Sequence, residues 1–295
     1  MGARRSLHFV PGANERMLEK ALGLPADALI LDLEDAVAPE RKADARAELR
    51  RWLDAVDFGG RERIVRTNPL ESPWGEADLE MLLDGTPPDA LLVPKVRDES
   101  DLHAIDLRLR DLERRGGHAE GSVAVLVIAT ETPHGVFALP RLASAPRVEG
   151  LTWGAEDLSA ALGARRNRDD AGRYLPVFAH CRIQTLLAAA AGGVAPIDGV
   201  YVDFRDAEGL ARECAEGADM GFTGKMTIHP SQVEIVNEAF TPSAEAVADA
   251  RALIEAFAAA RAEGRTALSW RGEMVDVPHL ERARRIVSLA ERLGV

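Results

Sequence analysis

LILDLEDAV, residues 29–37, drives three aliphatic side chains straight into an acidic cluster of Asp32, Glu34 and Asp35. A run with no polar face is what a strand of a parallel sheet looks like when both of its sides are covered. The same pattern recurs in VLVIATETP, residues 125–133, which delivers Glu131. It recurs again in LTWGAEDLS, residues 151–159, which delivers Glu156 and Asp157. Folds of alternating strands and helices place their chemistry at the C-terminal ends of the strands, so acids arriving there converge on one face. Carboxylates withdrawn from water repel one another, and a cluster of them calls for a hard cation or shared protons. The pattern is that of a metal-dependent enzyme.

Working outward, eight short apolar segments recur: 7–10, 28–32, 64–67, 90–94, 123–129, 150–153, 199–202 and 221–223. Most intervals between them have helical periodicity. In ERKADARAELRRWLDAV, Ala43, Ala47, Leu49, Leu53 and Val56 approximate one face, and DESDLHAIDLRLRDLERRG stops on Gly116 and Gly117. Regular alternation favours a parallel sheet with right-handed crossovers, and eight units in one stretch fit a closed (β/α)8 barrel over residues 1–240. Past Phe240 the repeat ends. Thr241 and Pro242 read as a helix start, an alanine-rich helix runs to Gly264, RTALSWRGEMVDVP is extended or looped, and PHLERARRIVSLAERLG is a final amphipathic helix. Residues 241–295 therefore form a C-terminal extension, read as a lid or an oligomer contact.

The net charge of −12 argues against nucleic acid or an anionic membrane as the main partner. No apolar run approaches the roughly 18 residues of a membrane span, and the first residues lack a secretory pattern, so the expectation is a cytoplasmic protein. Cys181 and Cys214 are isolated and fit no metal or redox spacing.

Glu131 precedes a Thr-Pro helix start and Asp157 opens a helix, so each alone reads equally as an acid stabilised by a helix N-terminus. Together, on neighbouring strand ends, they form a pair suited to Mg²⁺, with Mn²⁺ as an alternative and with water and substrate completing the shell. No His or Cys flanks them, which disfavours zinc. Asp32, Glu34 and Asp35 divide between capping, pairing with Arg41 or Lys42, and supporting the metal site from behind. Arg66, ending IVRTN, is either a clamp for substrate oxygens or a brace for the acids, and the clamp is favoured because the guanidinium fork suits carboxylates and oxyanions. Lys95, in LLVPKV, is a salt-bridge support before it is a Schiff-base nucleophile. His229 reads as a satisfied structural histidine. GKM lacks the residues of a phosphate-binding loop, and no GxSxG, HExxH, GxGxxG or CxxC motif occurs.

RSLHFVPGANERMLEKA, LDLEDAVAPERKADAR, VRTN, LVPKV, ATETPHGV, WGAEDLSAALG and GFTGKMTIHPSQV stand in the order and spacing of the citrate lyase β-subunit-like proteins. The chain thus resembles the acyl-CoA lyase branch of the HpcH/HpaI aldolase superfamily, which includes malyl-CoA, β-methylmalyl-CoA and citramalyl-CoA lyases and has the TIM-barrel fold. The ordered set spans residues 5–233, and SWRGEMVDVPHLERARRIV continues it. The resemblance implies Mg²⁺ at Glu131 and Asp157, substrate contacts from Arg66 and Glu131, and supporting roles for Glu34, Asp35 and Lys95. It implies that Arg5 and Lys20 help hold the phosphates of coenzyme A. It also implies that Asp276, in Gly272–Asp276, acts as acid and base in a neighbouring subunit of a homo-oligomer, a trimer or hexamer. Read by itself, Asp276 is a helix cap just before Pro278.

The expected reaction is cleavage, or formation, of the carbon–carbon bond of a malyl-CoA- or citramalyl-CoA-type thioester, giving an α-keto acid and an acyl-CoA. The alternatives are thioester hydrolysis or malate-synthase-like chemistry at the same site, a citrate lyase β subunit working on an acyl-carrier thioester, and a CoA-independent 2-keto acid aldolase.

Overall fold

Eight strands pair in chain order, each parallel to the next, and the eighth closes on the first through Ser6↔Lys225, Leu7↔Met226 and His8↔Thr227. This computed structural model describes residues 3–12 and 14–295. The strands are β1 (Ser6–Pro11), β2 (Ala28–Asp32), β3 (Glu62–Arg66), β4 (Ala90–Val93), β5 (Ala124–Ile128), β6 (Val148–Thr152), β7 (Ala195–Asp198) and β8 (Gly224–Thr227). The helices between them are α1 (Glu15–Leu22), α2 (Lys42–Ala55), α3 (Gly75–Leu83), α4 (Glu99–Gly116), α5 (Pro133–Ala143), α6 (Ala155–Leu162), α7 (Pro176–Gly192) and α8 (Ala207–Met220), with α9 (Ser231–Ala239) after β8. The expected (β/α)8 barrel is the fold.

Strand alternation divides the apolar residues into two cores. Leu7, Ile30, Ile64, Leu92, Leu126, Ile128, Ile197 and Met226 fill the barrel, while Leu29, Leu31, Val65, Leu91, Val93 and Val127 face out under the helices. Both faces are buried, which is why these strands are uniformly apolar in sequence. α4 ends where expected, with Gly117 in the left-handed conformation (φ 74°).

Three expectations shift. The seventh and eighth strands lie at Ala195–Asp198 and Gly224–Thr227 rather than at 199–202 and 221–223. Pro196 and the fully buried Lys225 disguise them, and residues 199–202 are the loop that leaves β7. The buried face of α2 is Lys42, Ala45, Leu49, Trp52 and Leu53, because the Lys42 ammonium turns inward to donate to the carbonyls of Leu33 and Glu34. The helix after Pro242 starts two residues later than the cap signature suggested, with Ser243 as its N-cap, accepting from Ala246 N.

The chain divides into two compact units, Arg4–Asn237 and a smaller one containing Glu238–Val295. The smaller unit pairs α10 (Ala244–Ala262) with α11 (Val277–Leu293) around Leu253, Phe257, Leu280 and Ala283. A short hairpin of β9 (Leu268–Trp270) and β10 (Glu273–Val275) joins the two helices. No helix among the described residues is long and apolar enough to cross a membrane.

Candidate active site

The acids that end β2 are organised by a single arginine. Arg66, at the end of β3, donates from Nε and Nη2 to the two oxygens of Asp32 at 2.8 and 2.6 Å, a bidentate pair. Its Nη1 lies 2.9 Å from Glu34 Oε2, off the axis of a hydrogen bond, so this buried oxygen has an ion-pair partner but no hydrogen-bond donor. The guanidinium rests over the Phe9 ring, 5.0 Å from its centroid. Burial opposes the charge on Arg66, yet Asp32, Glu34 and Asp35 raise its pKa above the ordinary value. The brace expected as the lesser reading of Arg66 is therefore built. Arg66 nevertheless lines a cavity.

Lys42 is not an ion-pair partner for these acids. Its ammonium is buried on Leu33 O, Glu34 O and Asn68 Oδ1, at 2.7 to 2.8 Å. The acids' lysine is Lys95, whose Nζ lies 2.5 Å from Glu34, 3.2 Å from Asp35 and 3.8 Å from Asp157. Burial works against the Lys95 charge too, but Glu34 and Asp35 hold its pKa above the usual lysine value. Lys95 thus ties the end of β2 to the start of α6. A charged, carboxylate-bound amine is not a nucleophile, so the Schiff-base alternative lapses.

Glu131 follows β5 and is 4% exposed. The Lys95 backbone N–H donates to its Oε2 at 2.5 Å, and Lys95 reaches that position by adopting a left-handed conformation (φ 55°), rare outside glycine. On the other side Glu131 packs against Gly154, where a Cβ would stand 2.8 Å from its Cγ. Burial pushes the Glu131 carboxyl up to about 8, and the nearby charges of Glu34 and Asp157 add to the effect. Asp157, in the first turn of α6, lines the same cavity as Glu131, Asp32 and Arg66. The cavity holds about 290 Å³, and its apolar lining comes from Phe9, Met17, Ile128, Trp153, Val200 and Met226. A larger cavity of about 510 Å³ lies on the barrel flank among Arg168, Tyr174, Arg182 and Tyr201, but it contains none of these strand-end acids.

The donor set suits a hard divalent cation. Glu131 is buried, pushed toward protonation and 2.5 Å from a single N–H, Asp157 lines the same cavity, and no imidazole or thiol does. Among the described residues no group of three or more His, Cys, Asp or Glu forms a metal-ligand cluster. Two carboxylates leave most of the coordination sphere to water and substrate, which is the manner of Mg²⁺ rather than of a structural metal.

Residues 5–230 match the profile of the HpcH/HpaI aldolase/citrate lyase family. The chain belongs to that family. It is accordingly an enzyme of the lyase and aldolase kind. A (3S)-malyl-CoA thioesterase of Cereibacter sphaeroides is 41% identical over 98% of this chain and 95% of its own length. The mitochondrial citramalyl-CoA lyase of Mus musculus is 36% identical over 97% of this chain and 86% of its own. Among solved structures, CitE of Mycobacterium tuberculosis in complex with magnesium, acetoacetate and coenzyme A is 35% identical, covers 99% of both chains and superposes with a TM-score of 0.78.

Set beside the expectations for this family, the barrel unit gathers Arg66, Glu131, Asp157, Glu34, Asp35 and Lys95 at one mouth. Arg5 does not join them. It precedes β1, at the N-terminal end of the barrel, where its guanidinium is held by Asp27 at 2.8 to 2.9 Å, so the geometry gives a phosphate-binding role no support. Lys20 is exposed in the last turn of α1. Asp276 belongs to the smaller unit. It is the N-cap of α11, and its carboxylate lies 2.7 Å from His279 Nδ1. His229 is satisfied by Ser231 and stacked on Phe204, as expected. Sequence reasoning missed Phe9 beneath Arg66, the inward Lys42, and a buried ionic group behind Trp153. For the last of these, a lysine inside an otherwise apolar strand was the available signal.

Proposed function

We propose that this enzyme is a Mg²⁺-dependent lyase that cleaves, or in reverse forms, the carbon–carbon bond of a malyl-CoA- or citramalyl-CoA-type thioester, giving an α-keto acid and an acyl-CoA. The observation that carries the reading is that Glu131, Asp157 and Arg66 line one cavity. Glu131 and Asp157 would hold the cation, with Mn²⁺ as a substitute, and Glu34, Asp35 and Lys95 would keep the two ligands oriented. Bound Mg²⁺ supplies Lewis acidity, which lowers the pKa of the substrate hydroxyl and polarises the keto-acid oxygens. The N–H groups of Arg66 that Asp32 does not engage take the negative charge that develops on the thioester oxygen, a role commonly worth about 3 kcal/mol. Because Asp32 already occupies Nε and Nη2, Arg66 offers single N–H groups rather than its whole fork. The apolar wall of Phe9, Ile128 and Trp153 keeps water from the enolate carbon.

The resemblance, rather than the geometry, supports Asp276 as the group that moves the proton at the acyl-CoA α-carbon and Lys20 as a phosphate contact. The same resemblance supports a homo-oligomer. Mixing Asp276→Asn with Glu131→Ala chains tests both the proton role and the sharing of sites. Recovery of activity is expected, and its absence after confirmed subunit exchange removes Asp276 from a shared site.

A second reading, thioester hydrolysis, is favoured by the name of the 41% identical relative. One panel separates the two: malyl-, citramalyl-, β-methylmalyl- and citryl-CoA, each with and without Mg²⁺, assayed for acyl-CoA, keto acid and free CoA. Acyl-CoA with keto acid, lost in EDTA and in Glu131→Ala and Asp157→Ala, is the expected outcome. Free CoA in place of acyl-CoA establishes hydrolysis, and full activity in EDTA overturns the metal assignment.

A further inference from the structure

Behind the catalytic cavity, between the barrel wall and α7 and α8, lies an ionic group. Asp198 ends β7 with no exposure and accepts from Trp153 Nε1 at 2.7 Å, Gly199 N at 2.9 Å, Arg182 at 2.9 and 3.1 Å and Lys225 Nζ at 3.0 Å. Lys225 also donates to Glu213 at 2.9 Å, Glu213 receives Arg168 at 2.7 Å, and Arg182 reaches Glu216 at 2.7 Å. Three cations face three carboxylates, so the group is neutral. Its one uncharged side-chain donor is the indole of Trp153, and of these residues only Trp153 lines the catalytic cavity.

We propose that Asp198 is a positioning residue for the reaction: it fixes Trp153, and through Trp153 the Gly154–Asp157 turn that carries one metal ligand and shapes the seat of the other. This rests on the metal site proposed above. Trp153 is the first residue after β6, Gly154 is the N-cap of α6, and Asp157 stands in the first turn of that helix. Gly154 donates its N–H to Thr130 Oγ1 at 3.2 Å and leaves no room for a Cβ against Glu131, so a displacement of this segment reaches both carboxylates. The indole is held on its remaining sides by the edge of Tyr174, 4.8 Å between centroids at 70°, and by Phe178 and Cys181. Gly199 supplies the space it needs, because a Cβ there would lie 2.8 Å from Trp153 O and 3.1 Å from Nε1.

Packing alone leaves an indole some freedom to rock, whereas a hydrogen bond to a carboxylate pinned by two cations selects one orientation. A buried ionic group is a poor source of stability, and its better-attested use is to specify geometry. Burial by itself would raise the Asp198 pKa, but Lys225 and Arg182 overcome it and keep the acceptor ionised.

Trp153→Phe keeps an aromatic ring and removes the Nε1 donor, while Gly199→Ala leaves the donor and displaces it. Each is expected to weaken Mg²⁺ binding to the metal-stripped protein about tenfold by calorimetry, the usual effect of losing a group that orients a ligand. A matching loss in kcat is expected, with KM for the thioester within about twofold. A purely structural role would lower Tm and leave the Mg²⁺ Kd of the folded protein unchanged. If Trp153→Phe does not fold, Gly199→Ala carries the test. Wild-type protein that binds no Mg²⁺ overturns the metal site and this proposal together. Wild-type binding abolished by Glu131→Ala, with Kd unchanged in the folded variants at 153 and 199, overturns the positioning role alone.

Discussion

Glu131→Gln should make the metal-free protein more stable, by an amount that grows with pH. In the folded barrel, burial and the adjoining acids raise the Glu131 pKa from 4.5 to about 8. Its carboxyl keeps a proton at pH 7 that the unfolded chain has released. A raised carboxyl pKa leaves stability intact below about 4.5 and removes it progressively as pH rises through the folded value. At about 1.4 kcal/mol per pH unit, the penalty at pH 7 is about 3 kcal/mol, and it levels off near 5 kcal/mol above pH 8. Glutamine carries no titrating proton in either state and its carbonyl still accepts from Lys95 N–H, so the penalty disappears. Urea unfolding in EDTA from pH 5 to 8.5, followed by tryptophan fluorescence, should show wild type and variant within about 1 kcal/mol at pH 5. The two curves should then diverge to about 3 kcal/mol at pH 7. Excess Mg²⁺ should reverse the order by stabilising wild type, since a bound cation favours the ionised carboxylate. A difference between the two proteins that does not change with pH would refute the argument.

Other changes probe the same mouth. Arg66→Lys keeps the charge but loses the bidentate grip on Asp32, so kcat/KM should fall on the order of a hundredfold with Tm nearly unchanged, and near-normal kinetics would limit Arg66 to bracing. Lys42→Met leaves Asn68 Oδ1 without a donor, while Leu33 O keeps Asn68 Nδ2 and Glu34 O keeps the Val37 N–H, and it should cost about 2 kcal/mol in urea unfolding. A cost under about 1 kcal/mol would mean that Asn68 Oδ1 finds another donor. Gly154→Ala places a Cβ against Glu131 Cγ in a backbone conformation that alanine adopts freely, so calorimetry should show weakened Mg²⁺ binding without a large loss of Tm. Unchanged affinity would mean that the Glu131 side chain moves aside at little cost.

The fold was legible because the first six strands are buried on both faces and say so residue by residue. The last two hid because β8 carries Lys225 and β7 carries Pro196, and a periodicity reading treats both as interruptions. The acids at strand ends were legible for the same reason as the strands: the apolar runs stop at them. Arg66 was legible as a brace for the acids, but which acid it grips was not, since pairing with Asp32 across β2 and β3 depends on register. Lys42 could not be separated from a surface lysine, because two of its three partners are backbone carbonyls, which sequence does not display. Arg5 is a different case: it precedes β1, so strand polarity alone places it at the N-terminal end of the barrel, and only the family resemblance supports a phosphate contact there.

The left-handed turn at Lys95 divides one position between two independent jobs. The grip on Glu131 comes from the main chain and survives any side chain that tolerates φ 55°, while the ammonium separately ties Glu34, Asp35 and Asp157. An evolving population could therefore rewrite the charge pattern of the mouth at residue 95 without dislodging Glu131. The route is narrow: glycine and asparagine enter the left-handed region readily, whereas valine, isoleucine and threonine would break both functions at once. A mutant library built to retune the acyl-group preference would lose the fewest members if position 95 were limited to Lys, Asn and Gly and the diversity were spent on Phe9, Met17 and Val200.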